Sequence, residues 1–183
     1  MDFYENEENN LIRRTVGWVV DIAVALSFAW FFLTFFGTQV VVNGQSMQPL
    51  LNSGEIVLMN RFVYDFGSPD RLDVVVFLRE DGRTNIKRVI GIPGDVVQIV
   101  DGTVYVNGEP MEEAGTVSLA GLADRPVELG KGEYFLLGDN RESSEDSRFA
   151  NVGNVMENQI IGKVWLRISP LIDFGLIQSS GGV

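Results

Sequence analysis

Hydrophobic positions fall into two regimes along this chain. From Thr15 to Gly37 (TVGWVVDIAVALSFAWFFLTFFG) they form a nearly unbroken run of 23 residues. At about 1.5 Å per helical residue, roughly 20 residues cross a bilayer core, so the run predicts a transmembrane helix over 15–37. A secretory signal peptide is the rival reading, but its apolar core spans only about 7 to 15 residues, and no clear small-x-small cleavage site follows Gly37.

Beyond Gly37 the apolar residues come in short β-branched runs: Gln39–Val42, Ile56–Met59, Leu72–Leu78, Ile86–Ile90, Val96–Val100, Thr103–Val106, Tyr134–Leu137 and Ile160–Ile168. Runs of this length suit strands better than helices. Asp101-Gly102 reads as a two-residue hairpin turn, and Asn107-Gly108 and Pro93-Gly94-Asp95 supply further turn chemistry. The expected fold is mainly β, an N-terminal transmembrane helix followed by an antiparallel β-rich domain over 38–183. Within it, 109–131 reads as an irregular insertion rather than a second core. The tail SPLIDFGLIQSSGGV is apolar to Ile177 and too short to span a membrane. It is expected to pack on the sheet or the membrane surface and to become flexible after Ile177.

Charge orients the helix. Arg13 and Arg14 abut its N-terminal side, and the next basic residue is Arg61. The positive-inside rule then makes 1–14 a cytoplasmic tail, with Met1–Asn10 disordered, and puts 38–183 outside the cell membrane. Asp21 is only about two turns from the cytoplasmic end, where headgroups and water lower the cost of a carboxylate.

Composition removes whole classes of chemistry. The chain of 183 residues has room for one anchor and one compact domain. A net charge of -11 with no basic run argues against nucleic acid as a partner. With no Cys and no His, thiol nucleophiles, Ser-His-Asp triads and most transition-metal sites are excluded. No metal ion is expected on this count.

Three stretches could carry chemistry. VVNGQSMQPLL, 41–51, runs from a strand into a Gly/Pro turn bearing Ser46; by itself such a serine is usually a turn residue. TNIKRVIGIPGD, 84–95, puts Lys87 and Arg88 inside a β-branched run. Alternation does not decide which of them faces inward, since both have apolar neighbours at two-residue spacing, and two exposed edge charges would also satisfy the pattern. Of the three lysines, Lys87, Lys131 and Lys163, Lys87 is the best candidate for burial. A lysine becomes a base near neutral pH only if desolvation lowers its pKa, at a cost of about 2.7 kcal/mol for roughly 2 units. GDNRESSEDSR, 138–148, gathers acids, arginines and serines in one loop, for which exposed ion pairing is a sufficient account.

Taken together and in order, the anchor, GQSMQPLL, RLDVVVF, IKRVIGIPGD and GDNRESSEDSR are similar to the motif set of bacterial type I signal peptidases, over residues 12–168. The resemblance implies a single-span, membrane-anchored serine protease with Ser46 as acyl-forming nucleophile and Lys87 as general base. It implies a supporting loop of Asp139, Asn140, Arg141, Asp146 and Arg148, with Ser144 hydrogen-bonded to the lysine. It implies no organic cofactor. Some relatives carry a hydroxyl residue where this chain has Gly44, so the Ser46 N–H, helped by the Gly44 N–H, is expected to hold the oxyanion. The implied partners are the lipid bilayer and the signal peptides of exported preproteins. These would be cut after Ala-x-Ala-like sites while lying as an added strand along Val41, Val42, Asn43 and Gln45 on one side and Asn85 and Ile86 on the other. Only eight residues separate Gly37 from Ser46, about 30 Å when fully extended, so the site would be near the membrane. Two rivals are weaker. A self-cleaving repressor shares the Ser-Lys logic but should lack an anchor, and an inactive peptide-binding β domain would not need both Ser46 and Lys87.

Overall fold

The computed structural model describes residues 3–177. The apolar run folds as helix α1, Phe3–Phe36, which starts well before Thr15. Residues 3–14, expected in the cytoplasmic tail, continue the helix; no Pro or Gly interrupts the sequence before Gly17. Within α1, Arg13–Phe32 is long and apolar enough to cross a bilayer, and none of it is buried. Met1, Asp2 and the end of the chain, 178–183, where flexibility was expected, lie outside the described residues.

All eight predicted strands form, each within two residues of its expected bounds. They are β1 Thr38–Val41, β2 Ile56–Asn60, β3 Val74–Leu78, β4 Thr84–Gly91, β5 Val96–Val100, β6 Thr103–Val106, β9 Glu133–Leu137 and β11 Ile160–Ser169. Four two-residue strands, too short to show a hydrophobic period, complete the sheets: β7 Glu109–Pro110, β8 Val127–Glu128, β10 Val155–Met156 and β12 Gly175–Leu176. The larger sheet runs β1-β2-β11-β3-β4-β9-β10, with β12 added to β11. The smaller runs β7-β6-β5-β8, and every pairing is antiparallel. The β5–β6 hairpin turns at Asp101 and Gly102, both at positive φ (48° and 82°), as a type I′ turn requires.

The segment 109–131 corrects an expectation. It is irregular, but Met111, Ala114, Val117, Ala123 and Leu129 are buried with Val97, Ile99, Val104 and Phe135 in one cluster. Rather than hanging off a core, it closes one over the smaller sheet. A second cluster joins Val42, Met47, Leu51 and Val57 to Val74, Val76 and Ile86, so the turn bearing Ser46 is pegged into the larger sheet on both sides. At the C-terminus β12 pairs with β11, and Ile177 is buried while Leu171, Ile172 and Phe174 are exposed.

Candidate active site

Ser46 lies in the turn after β1. The chain is held on entry by the Val42 N–H, which donates to Glu55 O at 2.8 Å. It is held on exit by Met47 and Leu51, both buried, and by the Leu51 N–H donating to Met47 O at 2.8 Å. The Ser46 carbonyl accepts from the Asn140 N–H at 3.0 Å, which ties this turn to the loop after β9. Gly138 makes the tie close: a Cβ there would stand 2.2 Å from Ser144 Oγ and 2.5 Å from Ser46 O. No side chain fits in that space.

Strand β4 supplies the lysine. Its neighbours β3 and β9 place Val75 opposite Lys87, and Val74 and Leu137 opposite Arg88. Successive side chains point to opposite faces, yet Lys87 and Arg88 are only 3% and 2% exposed. Both faces of β4 are covered, and for that reason alternation left the choice open. The Lys87 ammonium donates to Ser46 Oγ at 2.7 Å. Burial brings the lysine down from 10.5 to about 8, against the opposing pull of the Asp146 carboxylate. A buried amine this close to a hydroxyl can take its proton at mildly basic pH.

On the other face, Arg88 forks onto Asp139 at 2.8 and 2.7 Å and donates to Leu72 O at 3.0 Å. Leu72 holds a left-handed backbone, φ 71°, a costly conformation for a bulky residue, and its carbonyl is a partner of this guanidinium. Asp146, 0% exposed, accepts from Arg148 Nε at 2.8 Å, Arg148 Nη2 at 2.9 Å, Ser144 Oγ at 2.6 Å and the Gly138 N–H at 3.1 Å. Arg148 also donates to Arg141 O at 2.8 Å, and Arg141 Nε donates to Gly138 O at 2.7 Å. Arg141, Asp146 and Arg148 therefore form one hydrogen-bonded body with Gly138, while Asn140 ties the loop to Ser46 and Asp139 ties it to Arg88. They are not the exposed ion pairs that composition alone allowed.

Two expected contacts are made differently. The Ser144 hydroxyl donates a hydrogen bond to the Asp146 carboxylate rather than bonding Lys87; an ionised acceptor makes the stronger bond. The Gly44 N–H donates to Ser53 Oγ at 3.3 Å, so it is engaged and not offered to an oxyanion. Among the described residues no acceptor takes the Ser46 N–H, which leaves that donor for the role.

A cleft of about 430 Å³ opens at Ser46, lined by Val41, Val42, Asn43, Met47, Asn85 and Ile86 among others. Gln45, expected on the same wall, is exposed and lies outside it. A separate cavity of about 400 Å³ is bounded by Pro49, Arg88, Asp139 and Arg141; neither Ser46 nor Lys87 lines it. Among the described residues no group of three or more Asp and Glu side chains is placed to hold a metal ion. Sequence reasoning missed the Tyr64 hydroxyl on Asp73 at 2.9 Å, the Lys163–Asp73 ion pair, and the pairing of Arg79 with Glu145. The last two join residues far apart in the chain, and none of the three has a local signal.

The sequence profile of the family described as signal peptidase, peptidase S26, matches residues 15–169. The chain belongs to this signal peptidase family. Signal peptidase IB of Staphylococcus aureus strain Mu50 is 36% identical over 180 residues, covering 88% of this chain and 93% of that protein. Signal peptidase I of Bacillus caldolyticus is 34% identical over 172 residues, covering 86% and 91%. A crystal structure of a signal peptidase I from Enterococcus faecalis V583 is similar at 28% identity and a TM-score of 0.42, covering 52% of this chain and 95% of that one. As a member of the signal peptidase family the chain is a serine peptidase, a hydrolase.

Proposed function

We propose that this signal peptidase removes signal peptides from exported preproteins by a Ser46–Lys87 dyad. Lys87 Nζ takes the Ser46 Oγ proton as the oxygen attacks the scissile carbonyl carbon. The Ser46 N–H faces the developing oxyanion. The C–N bond then breaks, Lys87 returns the proton to the leaving amine, and the acyl group stays on Ser46. Water attacks the ester carbon while Lys87 accepts its proton, which passes to Ser46 Oγ as the serine leaves.

The observation that carries this reading is the 2.7 Å contact between Lys87 Nζ and Ser46 Oγ, made by a lysine that burial brings down to about 8. The peptide would lie along the cleft as an added strand. In support, β1 is an edge strand of the larger sheet, leaving one side unpaired beside Val41. Cleavage after Ala-x-Ala-like sites fits a cleft walled by Val41, Val42, Met47 and Ile86, which favours small apolar side chains. The Arg13–Phe32 helix is the proposed anchor, its N-terminus cytoplasmic on the Arg13-Arg14 charge and the β domain outside.

The test is cleavage of a labelled preprotein with an Ala-x-Ala site by the detergent-solubilised full chain, its Ser46→Ala and Lys87→Ala variants, and a mutated-site control. Cleavage by the wild type alone, at that site alone, is the expected outcome. No cleavage by folded wild type, or undiminished cleavage by Lys87→Ala, would sink the dyad.

A further inference from the structure

Arg79 follows β3 and still pairs with the neighbouring chain, its N–H donating to Arg83 O at 2.9 Å. Val75 is opposite Lys87 and Phe77 opposite Asn85. Continuing the two-residue alternation puts Arg79 on the face of this pair that carries Lys87. Its side chain is only 10% exposed. The guanidinium donates through Nη1 to Glu145 and through Nη2 to the Asn151 carbonyl at 3.3 Å, while Nε faces Asp81 at 3.6 Å. The Asn151 side-chain amide also donates to Glu145. A half-exposed carboxylate is thus gripped from two sides, and it belongs to the residue between Ser144 and Asp146.

Neither Arg79 nor Glu145 takes part in the reaction as drawn above. We propose that they are positioning residues for it: their ion pair pins the loop carrying Ser144 and Asp146 to the end of β3, and their opposed charges set the electrostatic field at Lys87. The proposal rests on the dyad reading.

The charges around Lys87 bear it out in sign. Burial lowers the lysine most; Asp146, Glu145 and Asp139 then raise it, and Arg79 lowers it. Two further charged groups nearby are already matched: Arg88 on the opposite face of β4 with Asp139, and Asp73 before β3 with Lys163. Arg79 is therefore the cation that counters the acidic loop, and Glu145 moderates it. Hydrogen bonds from Arg79 and Asn151 hold the Glu145 carboxyl below its ordinary range, so this carboxylate stays ionised wherever the lysine titrates.

The experiment is the pH profile of kcat/KM for the full chain with Arg79→Gln, Glu145→Gln, the double variant and Arg79→Lys. Arg79→Gln leaves Glu145 unopposed and moves the acid limb to higher pH. Glu145→Gln leaves Arg79 opposed only by Asp81 at 3.6 Å and moves it to lower pH. Each shift should be about half a pH unit, the order expected of one partly solvated charge, and the double variant should return towards the wild type. A loosened loop alone would lower kcat without moving the limb in opposite directions. Shifts in the same direction, or none, overturn the proposal. If Arg79→Gln does not fold, the other two single variants decide: the limb falls in Glu145→Gln and stays in place in Arg79→Lys, and any other pattern overturns it. Activity lost in Lys87→Ala with a limb unmoved by Arg79→Gln and Glu145→Gln refutes the clamp alone; activity retained in Lys87→Ala with its limb intact refutes the dyad and the clamp together.

Discussion

Replacing Lys87 with methionine should make the protein more stable and inactive. The folded lysine titrates near 8 against an ordinary 10.5. The unfolded chain therefore holds a proton between those values that the folded chain has given up, and wild-type stability rises with pH across that window. Below about pH 8 the full penalty stands, about 3 kcal/mol for roughly 2.5 units. Methionine has a similar length and no charge, so Lys87→Met removes the penalty. It also loses the bond to Ser46 Oγ, worth about 1 kcal/mol. The net expectation is a gain of about 2 kcal/mol at pH 7 that shrinks to near zero at pH 10. Thermal unfolding in detergent, followed by the β-sheet circular dichroism at both pH values, measures it. At pH 7 the midpoint should rise by about 5 °C. A variant destabilised at pH 7, or stabilised equally at pH 7 and pH 10, would show that burial does not weaken this base.

Two other outcomes follow from the same geometry. Asp139→Ala strands the Arg88 guanidinium in a buried site with Leu72 O as its remaining partner. It should cost about 3 kcal/mol in chemical denaturation, whereas a loss under 1 kcal/mol would mean that water reaches the arginine. Gly138→Ala drives a methyl group into Ser144 Oγ and Ser46 O and should cut kcat/KM by about a hundredfold through displacement of Ser46. Near-normal turnover would mean that the two backbones can part without harm.

What could be read from the residues, and what could not, follows the range of the interactions. The apolar run of α1, the β-branched strands and the Asp101-Gly102 turn are local, and each was legible. The burial of both Lys87 and Arg88 was not, because alternation assumes a sheet with one wet face and β4 has none. The core role of Met111, Ala114, Val117 and Ala123 escaped notice because these residues pack from 3-10 turns and irregular chain, where no period exists. Within the loop, composition named the residues but not the direction of their bonds. The Ser144 hydroxyl, expected on Lys87, is bonded to the Asp146 carboxylate instead. The Arg79–Glu145 pair spans 66 residues and joins the end of β3 to the loop after β9, a contact with no local signal.

The covering of β4 also links chemistry to folding. In an unfolded chain Lys87 is an ordinary solvated ammonium, and Ser46 an ordinary alcohol with no base at hand. Only when β3 and β9 have closed on either side of β4, and the turn after β1 has settled over it, does the amine lose enough water to accept a proton. A chain whose sheet has not yet closed therefore lacks the weakened lysine that the proposed dyad needs. On the proposed dyad, peptidase activity is at the same time a report that the sheet has closed around β4.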